Sequence, residues 1–218
     1  MANVIIFGNS DLADLAAFYL KHDSDHRVVA FTVNQEFIEK DTHNGLPLVP
    51  FETIENIYDP NRYKLFAPLT GRAMNKNRER IFNESKAKGY KLISYVSSKA
   101  TVWPGNVIGD NCFIFEDNTI QPFTTIGDNV IMWSGNHIGH HGVINDHVFF
   151  TSHVVLSGHC VVGSYSFFGV NSTIRDGLHI SEGTLVAMGA NLAKDTEAWS
   201  VYFGNPARKG PKPSHEVY

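Results

Sequence analysis

Ile108-Gly109-Asp110-Asn111, Ile126-Gly127-Asp128-Asn129, Ile144-Asn145-Asp146-His147, Val162-Gly163-Ser164-Tyr165 and Ile180-Ser181-Glu182-Gly183 are one four-residue figure returning every eighteen residues. A faster beat runs inside it. From Val102, every sixth residue is apolar through Ile108, Ile114, Ile120, Ile126, Met132, Ile138, Ile144, Phe150, Leu156, Val162, Phe168, Ile174, Ile180, Val186 and Leu192. With 43% of the chain apolar, such an unbroken series has a chance of about one in a million before choice of phase. A period of six fits neither a helix at 3.6 nor a plain strand at 2. It fits a parallel β-helix in which each hexapeptide forms one side of a triangular coil and the anchor points inward.

Eighteen residues are then three sides, one full coil. Gly, Asp and Asn suit its corners because they tolerate unusual backbone angles and bond nearby amides. Two residues before most anchors stands a small side chain: Cys112, Thr124, Gly142, Cys160, Ser166, Ser172, Thr184 or Ala190. One large and one small residue per side would fill a narrow interior. About five coils suffice for a continuous core.

The period covers residues 98–195. Residues 1–97 read instead as a small parallel α/β, Rossmann-like domain, and 196–218 as a C-terminal tail. Asn3–Gly8, Arg27–Val33, Tyr63–Leu69 and Tyr90–Val96 have strand character, with Leu46–Val49 as a short further strand. Helical spacing appears over Asp11–Lys21 and Met74–Lys88, and Phe51–Ile57 suits a short helix. Strand–helix alternation places a ligand at the carboxyl ends of the strands. Gly8, Ser10, Asn34 and Gly71 are the residues expected there. Gly8-Asn9-Ser10-Asp11-Leu12-Ala13 keeps only the first glycine of a dinucleotide fingerprint, which argues against NAD. Such a turn can hold a phosphate or sugar hydroxyl, or simply start a helix.

A net charge of −4 leaves no basic footprint for nucleic acid. No apolar run is long enough to span a bilayer, and the short run Val4–Phe7 is no signal peptide. Cys112 and Cys160 fall on the small inward phase and read as free core thiols in a reducing compartment, so a cytoplasmic protein is expected.

Seven of the eleven histidines lie between 137 and 179, none on an inward phase. His147, His153 and His179 are expected in solvent. His137, His140 and His141 form a denser group among glycines. His141 and His159, one coil apart, should stack at roughly 5 Å, one strand spacing. Imidazoles that close resist double protonation, and a neutral imidazole is what a general base requires.

With the repeat, the histidine group and the tail Tyr202-Phe203-Gly204-Asn205-Pro206-Ala207-Arg208, the whole chain resembles the hexapeptide-repeat acyltransferases with a left-handed β-helix. More narrowly, it looks like the nucleotide-aminosugar N-acetyltransferases of bacillosamine and perosamine synthesis and the related sialic acid O-acetyltransferases. The resemblance implies a homotrimer with acetyl-CoA along the β-helix between subunits and a nucleotide-activated amino sugar held by the α/β domain. It identifies His140 as the base, in Gly139-His140-His141-Gly142-Val143-Ile144-Asn145-Asp146. The flanking acid of the family is missing, which leaves His141 or an acid from elsewhere to orient His140. His137 is a further substrate-side candidate. The CoA-lining positions map onto Gly158, Val170, Ala187 and Gly189, with Met188 where glycine is common, and Arg208 and Lys209 are expected near the CoA phosphates. No metal is expected.

Direct attack by the sugar amine on the thioester, with imidazole taking the proton, needs no covalent intermediate. The expected activity is N-acetylation. Sugar O-acetylation is the alternative, followed by a γ-carbonic-anhydrase-like metal enzyme using His137, His140 and His141, or a non-enzymatic trimeric sugar-sensing scaffold. The trimer is further expected from outward aromatics at Trp133, Phe149 and Phe167.

Overall fold

Each hexapeptide forms a two-residue strand whose second residue is the anchor, as in Thr119–Ile120, Thr125–Ile126 and Ile131–Met132. In the computed structural model, which describes residues 1–218, each strand pairs in parallel with the one eighteen residues away. The result is the expected left-handed parallel β-helix of about five coils. Its first face runs from Thr101–Val102 to Asn191–Leu192, its second from Val107–Ile108 to His179–Ile180, and its third from Phe113–Ile114 to Leu185–Val186.

From Ile114 to Leu192 every anchor is buried in one core, while Val102 and Ile108 of the first coil are partly covered. Burial of each such side chain stabilises by roughly 1.5–3 kcal/mol. The eight small residues at the second inward phase are buried too. That phase is less uniform than the sequence implies, for Val130, Val148, Val154 and Leu178 also occupy it. So do three asparagines, Asn106, Asn118 and Asn136, of which the last two are fully buried. The Asn136 amide donates to Asn118 Oδ1 at 2.9 Å and to the Trp133 carbonyl, and its own oxygen accepts the Val154 N–H at 2.8 Å. The pair bonds the turns of successive coils from within.

At the corner between the second and third faces, Asn111, Asn129, His147 and Tyr165 all have left-handed backbone, φ 56–63°. Their side chains form a column. Asn111 Nδ2 donates to Asn129 Oδ1 at 2.8 Å, Asn129 Nδ2 donates to His147 Nδ1 at 2.9 Å, and the His147 ring stacks on Tyr165. His147 is therefore buried at 8% exposure, contrary to the solvated position expected for it. Stacking on its neighbours offsets the cost of a bulky residue in this conformation. His153 and His179 are exposed as expected.

The outward residues of the third face, Phe113, Ile131, Phe149, Phe167, Leu185 and Val201, are all buried. Phe149 and Phe167 stack on one another, Tyr218 lies against Phe167 with ring centroids 4.3 Å apart, and Trp133 stacks on Phe115. The expectation of exposed aromatics at Phe149 and Phe167 is thus corrected, because the chain covers this face itself. Uncovered apolar side chains lie elsewhere: Val107 and Val143 on the second face, Val155 on the first, and Trp103 and Phe123 at the corner between them.

The chain forms two units, residues 1–70 with 78–95 and residues 71–77 with 96–218. The 196–218 tail is not separate. Ser200–Phe203 pairs in parallel with Leu185–Val186, and Arg208–Pro213 returns antiparallel to it. In the first unit, β1 (Asn3–Phe7), β2 (Arg27–Val33), β3 (Thr42–His43), β4 (Leu46–Pro50) and β5 (Tyr63–Phe66) form a sheet ordered β3-β4-β2-β1-β5. All pairs are parallel except the β3–β4 hairpin, which the sequence reading lacked. Helix α1 (Asp11–His22) buries Leu12, Ala13, Ala16 and Leu20, with acids in its first turn and bases in its last, as the helix dipole favours. Helix α2 spans Lys76–Ala87. Tyr90–Val96 does not complete the sheet as a regular strand. Leu92 makes a single bridge to Leu65.

Asn136→Leu should destabilise the protein by about 2–4 kcal/mol, because it leaves Asn118 Oδ1 and the Val154 N–H unpaired in the core. The check is the midpoint of urea unfolding. An unchanged midpoint would mean that the asparagine pair contributes nothing net.

Candidate active site

The corner between the first and second faces carries Gln121-Pro122-Phe123-Thr124 in one coil, Gly139-His140-His141-Gly142 in the next and Ser157-Gly158-His159-Cys160 in the third. Its third position is again left-handed, at φ 65° for Phe123, 56° for His141 and 59° for His159. The three rings make an outward column. Phe123 lies 4.7 Å from His141 between centroids, and His141 lies 4.9 Å from His159 at an interplanar angle of 17°. The stack expected between His141 and His159 is present.

His140 sits one residue earlier, where the next coil has Gly158. A Cβ at Gly158 would fall 2.9 Å from His140 Cε1, so the glycine makes room for this ring. Backbone bonds fix the corner: the His140 N–H donates to Gln121 Oε1 at 3.0 Å, and the His140 carbonyl accepts the His159 N–H at 2.9 Å. The His140 ring has one side-chain hydrogen-bond partner, with Nδ1 3.0 Å from His141 Nδ1 and the two rings edge-on, and it also meets the His159 ring edge-on at 4.9 Å between centroids. All three histidines are exposed, and their ligating nitrogens lie within 4.8 Å of one another. His137 is outside this group. It lies half-buried on the strand of the first face.

Sequence reasoning named His140 and His141 and stacked His159 on His141, but gave no place to Gln121 or Phe123. The eighteen-residue period was the signal, since Phe123 and His159 flank His141 by one coil each. Cys160 is buried just behind the corner, and burial pushes its thiol up, which disfavours a thiolate nucleophile there.

The expected cofactor residues divide between two edges. Gly158 belongs to the histidine corner. Val170, Ala187 and Gly189 line the corner between the third and first faces, where the Gly189 N–H donates to the Val170 carbonyl at 2.8 Å and Val170 and Met188 are exposed. The turn Gly204–Ala207 closes on the same edge: Asn191 donates to the Gly204 carbonyl and Ala207 to the Asn191 carbonyl. Arg208 follows, exposed. Lys209 is engaged at 2.5 Å by Glu197, which also raises its pKa.

In the α/β unit, Gly8 adopts φ 132° and donates to the Thr32 carbonyl, close against Ala13. Ser10 is the exposed N-cap of α1, and its hydroxyl makes no capping bond. Asn34 donates to Glu52 Oε1 at 3.1 Å. A cavity of ≈ 370 Å³ at these carboxyl ends is lined by Asn9, Glu36, Phe37, Glu39, Lys40, Thr42, His43 and Leu48. A larger one, ≈ 560 Å³, lies along α1 and the start of β2, away from the strand ends. Gly71 is not at a strand end. It belongs with residues 71–77 of the β-helix unit and packs against Phe167, because β5 already ends at Phe66.

Residues 107–140 match the family model "Bacterial transferase hexapeptide (six repeats)". Comparison with curated proteins returns no match. Among solved structures, the chain is similar to the acetyltransferase domain of PglB from Neisseria gonorrhoeae FA1090 at 20% identity and TM-score 0.84, over 96% of this chain and 100% of that one. It is similar to an asparagine-for-histidine variant of perosamine N-acetyltransferase from Caulobacter crescentus, in complex with CoA and GDP-perosamine, at 20% identity and TM-score 0.87 over 97% and 98%. WeeI from Acinetobacter baumannii AYE follows at 19% and 0.81 over 96% and 100%. The chain therefore carries the bacterial-transferase hexapeptide repeat and shares the two-part fold of these bacterial proteins.

Proposed function

We propose that this protein is an acetyl-CoA-dependent N-acetyltransferase acting on the amino group of a nucleotide-linked amino sugar, with His140 as general base. The observation that carries the reading is His140 itself: an exposed imidazole over Gly158 with Nδ1 3.0 Å from His141 Nδ1. The fold shared with acetyltransferases in complex with acetyl-CoA, or with CoA and GDP-perosamine, supplies the substrate class.

Only one proton can lie between two Nδ1 atoms, so the pair admits two arrangements. With His140 Nδ1–H donating to His141 Nδ1, His140 Nε2 keeps a free lone pair and can take a proton. The opposite arrangement would protonate Nε2 and disable it. His141 thus takes the place of the absent acid as the positioning residue, itself held between Phe123 and His159.

In the reaction, the neutral amine attacks the thioester carbonyl as its proton passes to His140 Nε2. The tetrahedral intermediate collapses, the C–S bond breaks, and the proton leaves with CoA as its thiol. The Gly158 N–H, without a partner in the chain and beside the ring, is the available donor for the oxyanion. The cavity at Asn9 and Lys40 is assigned to the nucleotide part of the substrate.

The histidine corner and the Val170–Gly189 edge are separated by the width of the first face. A site using both takes one corner from each of two chains, which a closed threefold ring supplies. The exposed Val107, Val143, Val155, Trp103 and Phe123 supply apolar surface for that contact.

Release of free thiol from acetyl-CoA with a panel of nucleotide amino sugars, and with their hydroxy counterparts, tests the activity and separates N- from O-transfer. His140→Ala should lower kcat by roughly 10²–10⁴-fold with KM near wild type. His140→Asn should match it, and His141→Ala should cost less. Retention of most activity by His140→Ala would overturn the assignment. Arg208→Ala should raise the KM for acetyl-CoA several-fold with little change in kcat, whereas Lys209→Ala should do less because Glu197 already engages that lysine. Sedimentation equilibrium should give a trimer at micromolar concentration, and a monomer there would exclude an intersubunit site.

A further inference from the structure

We propose that His140, His141 and His159 together bind one divalent transition-metal ion of the zinc type, and that this ion switches the acetyltransferase off. The inhibitory half rests on the His140 reading above. The binding half does not.

The ligand set is on the surface as it stands. Three imidazoles project from two adjacent coils of one corner, their ligating nitrogens within 4.8 Å of one another. Two imidazole nitrogens bound to one zinc at about 2.0–2.1 Å stand roughly 3.0–3.4 Å apart. The Nδ1 atoms of His140 and His141 are already 3.0 Å apart. His159, exposed and stacked in parallel on His141, completes the set by rotating its ring. Three histidines with the remaining positions open to water form a set that suits zinc, copper or nickel and offers nothing to calcium or magnesium.

Metal binding and catalysis exclude each other by proton count. A neutral imidazole has one proton and one lone pair. If the ion takes His140 Nε2, the base is blocked directly. If it takes Nδ1, the proton from Nδ1 must reside on Nε2, and the acceptor for the proton of the attacking amine is gone. In either case His140 cannot act.

His159→Phe isolates the claim. Phenylalanine already occupies the equivalent corner position one coil before His141, at φ 65° and in ring contact with it, so the change keeps the stack and removes only the nitrogens. Co²⁺ titrated into the metal-free full-length protein, followed by visible absorption and equilibrium dialysis, should show one ion per chain. His159→Phe should weaken binding at least tenfold. Micromolar Zn²⁺ should inhibit acetyl transfer by the wild type, EDTA should restore it, and His159→Phe, read against its own metal-free rate, should be largely insensitive to the ion. Absence of Co²⁺ binding to the wild type, or equal binding to His159→Phe, would overturn the site. Binding lost in His159→Phe without any effect of Zn²⁺ on the wild-type rate would overturn the inhibition. A protein that binds one Co²⁺ through His159 but acetylates no amino sugar would uphold the metal site and reject the proposed activity.

Discussion

Backbone bonds between coils govern everything else in the β-helix unit. The His137 N–H reaches the Val154 carbonyl at 2.9 Å, Gly139 reaches Leu156 at 2.7 Å, and Val143 reaches Cys160 at 2.9 Å. Each bond joins residues seventeen apart and so fixes a register of eighteen. A side chain in this unit has neighbours assigned by arithmetic, one coil above and one below. The core column of Ile120, Ile138, Leu156 and Ile174 and the outward column of Phe123, His141 and His159 follow the same rule. The candidate site is one place where that rule stacks two imidazoles, His141 and His159, with a third, His140, one residue along the chain.

What followed the register was legible in the sequence. The anchors, the corners and the His141–His159 stack all come from counting, because local chain geometry repeats without interruption. What depended on parts outside the repeat was not. His147 looked solvated from its phase alone, yet Asn129 and Tyr165 on either side of it enclose the ring. Phe149 and Phe167 looked exposed because no pattern announces that Tyr218 returns to one of them. Gly71 was placed by extending a strand that stops at Phe66. The cofactor residues were mapped one at a time, and only the assignment of each to a face reveals that Gly158 and Val170 occupy different edges.

In the proposed reaction, a histidine rather than an acid beside His140 changes the electrostatics of the site. A carboxylate beside an imidazole stabilises the protonated ring by charge and raises its basicity. The His141 ring offers His140 a lone pair and a dipole but no countercharge. Its contribution is therefore mostly orientation, and that in turn depends on the stack holding it. Phe123 and His159 bear on the proposed chemistry through that stack.

The far end of the coil finishes each face differently. The last strand of the first face is closed by Gly204 and Ala207, that of the second by the Asp195 and Thr196 side chains, and that of the third by the Ser200–Phe203 and Arg208–Pro213 hairpin. A parallel stack with an open end would be a template on which any extended chain could dock, including the end of another copy. Here the outermost strand is Arg-Lys-Gly-Pro-Lys-Pro, whose prolines have no N–H to offer and whose cations repel a like strand. The same segment that puts Arg208 beside the proposed cofactor edge thus also terminates growth, so a solenoid able to lengthen indefinitely stays a discrete molecule.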